Sequence, residues 1–384
     1  MTPSVVYWNN IPAPYMVERF NALAERGNVD LEVWFSTRTE SDRSWRVMEE
    51  SWRFPYRYLP GIPGRRGSTI PLRAFRARPN VLVSLYASPS FMVGSAVARL
   101  RGIRTAYWVE VTFDAWIRRR RWKERLKSGL LPRADGILTA GRDGAAFAMR
   151  YGASPERVFT VPHVIDFDRY AKGSARARGS RETVREELGL QGLTFAYVGR
   201  LWSGKGIGQL LDAFAGLERK STDDLSLLLV GDGADEARLR TRCADEGLEN
   251  VVFAGFHDGD ALPPLYAAAD VFVFPTLGDP FGMVVLEAMA CGLPVISTSA
   301  AGEIRERIDE GVNGFVVPRA TAKLSASVCS CSRETSRSAS GWATQRGRKS
   351  PASHPPSGPR RLKKRSARSS CCQEAGSGSM TGGT

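Results

Sequence analysis

The chain has 384 residues, 54 Lys or Arg against 40 Asp or Glu, and 42% hydrophobic residues. That length suits two domains of roughly 160 residues, each able to bury a core, and no apolar run of about 18 residues is present to span a membrane as a helix. The formal charge of +14 is uneven: Arg319 to Thr384 holds 13 Lys or Arg against 2 acids, a net +11, which leaves +3 for residues 1–318. The first 318 residues therefore lack the charge of a nucleic-acid binder.

In chain order, the first half alternates predicted strands at Val5 to Trp8, Leu31 to Phe35, Val81 to Leu85 and Thr105 to Trp108 with helices at Tyr15 to Arg26 and Phe91 to Arg101. Trp45, Trp52, Phe54, Tyr56 and Tyr58 read as core or loop packing. Arg118 to Lys127 sets seven cations around Trp122 and Leu126. Such a run suits either an anionic membrane surface or a solvated helix face. Gly136 to Thr139 and Val158 to Val161 extend the sheet, and His163 reads as a turn residue.

The second half alternates more cleanly. A strand at Thr194 to Val198 runs into Gly199-Arg200-Leu201-Trp202-Ser203-Gly204-Lys205-Gly206, then a helix with Ile207, Leu210, Leu211 and Phe214 on one face. Gly199, Gly204 and Lys205 fit the GxxxxGK spacing of a P-loop, but Gly206 lacks the hydroxyl that holds Mg²⁺ there. Two cations at the positive end of a helix call for an anion, so Arg200 and Lys205 are candidate phosphate ligands. Further strands are predicted at Leu225 to Val230, Val251 to Ala254, Val271 to Phe274, Pro294 to Ser297 and Gly314 to Val317. Helices are predicted at Ala234 to Glu246, Ala261 to Ala269 and Gly302 to Asp309, with a turn at Gly231-Asp232-Gly233. Continuous apolar strands separated by helices describe a doubly wound parallel sheet.

After the strand at Val271 to Phe274 comes Pro275-Thr276-Leu277-Gly278-Asp279-Pro280-Phe281-Gly282-Met283-Val284-Val285-Leu286-Glu287, then Ala-Met-Ala-Cys-Gly-Leu-Pro-Val. Asp279 and Glu287 stand eight positions apart across a strand-to-helix turn. If the helix began in the loop, both carboxylates would face one cleft, and free N–H groups at the helix start near Gly282 would suit phosphates or hydroxyls.

This stretch resembles the E(x7)E element of retaining glycosyltransferases of the family 4 type, with Asp279 in place of the first Glu. The run Arg133 to Ala140, then Tyr151-Gly152-Ala153 and Val161 to Asp166, is similar to the family's passage out of its first domain, and Asn10 to Tyr15 stands where relatives carry a Gly-rich loop. The resemblance implies a GT-B architecture: two α/β, doubly wound, Rossmann-like domains facing a cleft, with an acceptor-side domain over 1–170, a linker over 171–193 and a donor-binding domain over 194–318. It implies transfer of a sugar from a nucleoside diphosphate sugar to an acceptor hydroxyl with retention, in surface polysaccharide or glycolipid assembly. Gly199, Arg200, Lys205, Phe281, Gly282 and Glu287 would bind the donor, Asp279 and Glu287 being the catalytic pair. Asp279 would meet the donor sugar and Glu287 the ribose.

The diphosphate charge is met by side chains and helix ends, so no metal or other cofactor is expected, and no His, Cys and Asp cluster with ligand spacing occurs. Cys243 and Cys291 are expected as reduced core residues, in keeping with a cytoplasmic protein that is peripheral at most. Residues 319–384 hold 15 Ser and a disordered composition, and Cys329, Cys331, Cys371 and Cys372 there lack metal spacing. The resemblance ends at Val317-Pro318. A reading-frame change would make the remainder non-native and leave the donor domain incomplete; an evolved basic tail for nucleic acid or acidic lipid is the other explanation. A truncated, inactive remnant and a tail-driven binder are accordingly the alternatives to an enzyme.

Overall fold

The computed structural model describes residues 2–39, 47–59, 78–86, 89–110 and 121–319. The tail from 320 onward, Trp45, and Arg118 to Arg120 of the basic run lie outside the described residues.

The first half begins with β1 (Ser4–Asn9), α1 (Pro14–Arg26), β2 (Asp30–Phe35), β3 (Tyr56–Tyr58), β4 (Val81–Leu85) and α2 (Pro89–Leu100). It continues with β5 (Arg104–Val109), α3 (Arg121–Leu130), β6 (Gly136–Thr139), α4 (Arg142–Arg150) and β7 (Val158–Thr160). Its seven strands form one sheet in the order β3-β2-β1-β4-β5-β6-β7, every neighbouring pair parallel.

The helices α5 (Phe167–Ala177) and α6 (Arg181–Leu188) follow, then β8 (Leu193–Val198), α7 (Ile207–Glu218), β9 (Leu225–Val230), α8 (Glu236–Glu246) and β10 (Val251–Gly255). The described chain closes with α9 (Leu262–Ala268), β11 (Val271–Phe274), α10 (Met283–Ala290), β12 (Val295–Thr298), α11 (Ile304–Arg307) and β13 (Gly314–Val317). These six strands form a second parallel sheet in the order β10-β9-β8-β11-β12-β13.

Each sheet reverses its winding once, between β1 and β4 in the first and between β8 and β11 in the second. Beyond the carboxyl ends of the strands flanking such a switch is where doubly wound sheets receive ligands. The strands pair so because they are apolar on both faces: every residue of β9 and β11 is buried, which only helices on both sides can achieve. One continuous core unites the second sheet with α7, α9 and α10. The first sheet divides its core among three clusters on its two faces.

The segment read as a linker, 171–193, is largely helical. Asp166 caps α5 by accepting from the Arg169 N–H at 3.0 Å. Tyr170 of α5 is buried in the core of the second sheet, and Arg181 and Arg185 of α6 bind Asp270 and the carbonyls of Ala267 and Ala268. These helices thus pack with the second half.

Trp52 stacks on Phe54 with centroids 5.5 Å apart and meets Tyr56 and Phe35 edge-on or tilted, in keeping with packing. Lys127 of the basic run turns inward: its Nζ lies 2.9 Å from Glu124 and over the rings of Phe147 and Tyr151. Cys243 and Cys291 are free and buried. Among the described residues no helix is long and apolar enough to cross a membrane.

Candidate functional site

The loops leaving β8 and β11, on either side of the second sheet's switch point, are tied together. The Leu277 N–H donates to the Gly204 carbonyl at 3.0 Å, and the Tyr197 hydroxyl donates to the Arg200 carbonyl at 3.0 Å, holding the first loop against its strand. Gly206 opens α7 at φ 73°, and a Cβ there would overlap the Pro275 carbonyl. This close approach explains why the P-loop hydroxyl is absent: a Ser or Thr does not fit.

Lys205 reaches across to Asp279 and forms an ion pair with its Oδ2. The pair is largely buried, with side chains 19% and 13% exposed. Burial alone would raise the Asp279 carboxyl, but the Lys205 ammonium and the N–H groups of Phe281 and Gly282 outweigh it and hold the group below its ordinary range. Arg200 lies with its guanidinium 5.6 Å from the Trp202 ring.

Asp279 stands on the loop, not on the helix. Its backbone pairs with Ala300, Ala301 and Gly302, and α10 starts only at Met283. The expected helical alignment of Asp279 with Glu287 therefore does not occur. Gly282 makes the turn between them at φ 74°, where a Cβ would fall 2.6 Å from the Phe274 ring. The free N–H groups of the first turn of α10 follow it. Glu287, on the second turn, accepts from the Tyr266 hydroxyl at 2.8 Å. Burial pushes its carboxyl up to about 7, against the pull of hydrogen bonds from Tyr266 and Tyr170. The two acids thus have separate neighbours, a lysine for one and tyrosines for the other.

Sequence reasoning missed Arg307. Its guanidinium donates to the carbonyls of Phe281, Gly282 (3.1 Å) and Gly302 (2.7 Å) and lies 4.3 Å from the centroid of the Phe281 ring. One side chain therefore braces the turn that presents α10. Glu303 beside it, 3% exposed, crosses to the first half. Its carboxylate accepts from the N–H groups of Asp143 (3.0 Å) and Gly144 (2.9 Å), while the Asp143 carboxylate accepts from the Glu303 N–H at 2.8 Å. This reciprocal pairing is a capping box made in trans, since Gly141 offers α4 no side-chain cap. Glu303 adopts φ 57°, an unusual conformation for a residue with a Cβ.

His163 is not a surface turn residue: it is 5% exposed and joins the halves. Its ring meets Tyr15 and Trp108 of the first half at 5.3 and 5.5 Å and Phe281 of the second at 4.8 Å. Burial and the nearby Arg19 and Arg307 push its pKa down to about 3, so the ring is neutral. Glu110, just past β5, accepts from Trp108 Nε1 at 2.7 Å and stands 3.5 Å from His163 Nε2. Burial raises its pKa, and the charge of Asp279 across the join adds to the rise. No local pattern could have shown these residues, because their partners come from remote strands. The disposition of Trp108 and Glu110 at a strand's carboxyl end was the only hint.

The assembled features are a cation loop, a helix N-terminus and two carboxylates at one switch point, with aromatic rings and a third carboxylate opposite. Residues 192–333 match the family described as Glycosyl transferases group 1, running past Pro318, where the sequence reading ended the resemblance. A mannosylfructose-phosphate synthase of Agrobacterium fabrum is 34% identical over 163 residues, covering 40% of this chain and 35% of that protein. A D-inositol 3-phosphate glycosyltransferase of Corynebacterium kroppenstedtii is 33% identical over 187 residues, 46% of this chain and 40% of the relative. The chain thus spans well under half the length of these relatives.

Among solved structures, Anabaena HepE in complex with UDP superposes with a TM-score of 0.70 at 20% identity, covering 90% of this chain and 93% of that one. WaaG, a glycosyltransferase involved in lipopolysaccharide biosynthesis, gives 0.66 at 19% identity, covering 89% and 94%. The match to the glycosyl transferases group 1 family thus falls on the second half, and the two parallel-sheet halves have the GT-B architecture.

Proposed function

We propose that this chain transfers a sugar from a nucleoside diphosphate sugar to an acceptor hydroxyl. The observation that carries the reading is the Lys205–Asp279 ion pair, which ties the Arg200 loop to the Gly282-capped start of α10 at the switch point of the second sheet, with Glu287 on the second turn of that helix. As the bond between the anomeric carbon and the diphosphate oxygen breaks, its electron pair stays on the diphosphate. Arg200, Lys205 and the helix N–H groups oppose that growing charge. The acceptor oxygen bonds to the anomeric carbon and its proton leaves.

Asp279, held by Lys205, contacts hydroxyls of the donor sugar. Glu287, beside Tyr266, contacts the ribose, and the Phe281-Gly282 backbone lies between them. The charge is met without a metal, the product keeps the donor's anomeric configuration, and the acceptor belongs to surface polysaccharide or glycolipid assembly. Similarity to a mannosylfructose-phosphate synthase and a D-inositol 3-phosphate glycosyltransferase supports a phosphorylated sugar or cyclitol as the acceptor class. The chain works in the cytoplasm, with the 118–127 run against an acidic membrane surface.

Thermal unfolding with UDP, GDP, ADP and dTDP, and with their sugars, tests the reading, because a ligand of the folded state raises the midpoint. One diphosphate is expected to stabilise the chain, and Arg200→Ala and Glu287→Ala to abolish that shift. A cooperative transition unmoved by every nucleotide would overturn the proposal.

A further inference from the structure

The two cations of the loop after β8 are held in different ways. Lys205 is paired with Asp279 and lies 5.7 Å from the centroid of the Phe274 ring. Arg200 instead lies with its guanidinium 5.6 Å from the centroid of the Trp202 ring, two residues on. That ring stands on an anchored backbone. The Trp202 N–H donates to the Arg200 carbonyl at 3.2 Å, the Trp202 carbonyl accepts from the Lys205 N–H at 2.9 Å, and Leu201 between the two side chains bonds to Asp232 and Asp235. The benzene part of the indole presses on Gly204, where a Cβ would overlap it. Gly204 does not have a positive φ, so the ring, not the turn, requires a glycine there.

An indole is a poor choice here for packing alone. Its Nε1 is buried and has no hydrogen-bond partner among the described residues, a cost that Phe or Leu would avoid. What the indole offers above either is its face, the strongest that a side chain presents to a cation. Arginine suits such a face because its planar guanidinium stacks while its N–H edge stays available to an oxyanion. A long side chain already confined against the ring also loses less conformational freedom when an anion arrives. We propose that Trp202 is a positioning residue, whose ring face holds the Arg200 guanidinium ready for the diphosphate of the donor. This rests on the donor reading above and adds to it a residue that acts through Arg200 rather than by touching the donor.

Calorimetry on the full chain with UDP, GDP, ADP, dTDP and inorganic pyrophosphate tests it, with melting curves of each variant to confirm folding. Trp202→Leu is expected to weaken the nucleotide that the wild type binds by roughly 3–30-fold, and Trp202→Phe, which keeps a weaker face, by less. Trp202→Phe also removes the buried, unpaired N–H, so it is expected to melt no lower than the wild type while binding less tightly. A packing role would instead make affinity follow the melting midpoint through both variants. In the free protein the Trp202 indole ¹⁵N–¹H resonance, identified by its loss in Trp202→Phe, is expected to move in Arg200→Ala. An equal Kd in folded Trp202→Leu, affinity that follows the midpoint, or an unmoved resonance would overturn the inference and leave the donor reading standing. Pyrophosphate bound by the wild type and weakened in Trp202→Leu, with no nucleotide bound, would keep the inference for an oxyanion and remove the donor reading. A wild type that binds neither would overturn both.

Discussion

The two halves carry their parts of the site in different ways. In the second, Gly199 to Lys205 and Asp279 to Glu287 are two short runs that β8 and β11 bring together at the switch point. In the first, Tyr7, Arg19, Trp108 and Glu110 come from β1, α1, β5 and the residue after it, and meet His163 only in the fold. A phosphate site made from loops and helix ends is encoded locally, because backbone N–H groups and adjacent cations suffice. The buried cluster of the first half is assembled from separate elements and is encoded by topology.

That contrast is open to test, and the largest effect is expected at the local motif. Lys205→Ala removes the partner of a buried carboxylate and, in the proposed reaction, a cation opposite the leaving diphosphate. Transfer is expected to fall by about 10²–10³-fold, read as nucleoside diphosphate release, together with a loss of about 3 kcal/mol in denaturant unfolding. Lys205→Arg should restore stability better than rate.

Next comes Arg307→Met, which keeps the packing on Phe281 but leaves the carbonyls of Phe281, Gly282 and Gly302 without their donor. A cost of about 1–3 kcal/mol is expected, with weakened diphosphate binding by calorimetry. An unaltered diphosphate Kd would show that the turn holds without its brace.

The contact between halves is sharpened by Glu303→Gln combined with Asp143→Asn. A coupling energy of about 0.5–2 kcal/mol is expected from the double-mutant cycle, since each side chain accepts from the other residue's segment. Additivity within experimental error would show that the two hydrogen-bonding arms act independently.

The smallest effects concern pH. Glu287 has a folded pKa of about 7 against an ordinary 4.5. Its share of stability is present below about 4.5 and lost as pH rises through 7; Glu287→Gln should flatten that slope by up to ~1.4 kcal/mol per pH unit. His163, with a folded pKa of about 3 against 6.5, has the opposite sign. Its share is present above 6.5 and lost as pH falls toward 3, and His163→Gln should flatten the acid side of a stability profile.

Much of the second sheet was legible because its strands are unbroken apolar runs: β9 and β11 fall on the residues expected from sequence. The edge strand β3, only three residues and largely exposed, carries too little pattern to find. The predicted helix over 302–309 shrinks to the single turn of α11, since Ile308 leaves the helical region with ψ 117°. The loops after β8 and β11 were visible through their glycines and cations. Glu287's tyrosines, Arg307's carbonyls and the setting of His163 were not, because each depends on partners far along the chain: Tyr266 precedes Glu287 by 21 positions and Phe281 precedes Arg307 by 26. Charge and periodicity carry no record of such meetings.

The trans cap on α4 also acts as a reporter. Asp143 and Gly144 surrender their amide protons to Glu303 alone, so any separation of the halves lays those two amides open to solvent at once. Their rate of deuterium uptake therefore counts how often the cleft gapes, and a bound donor that draws the halves together would slow it without touching either residue.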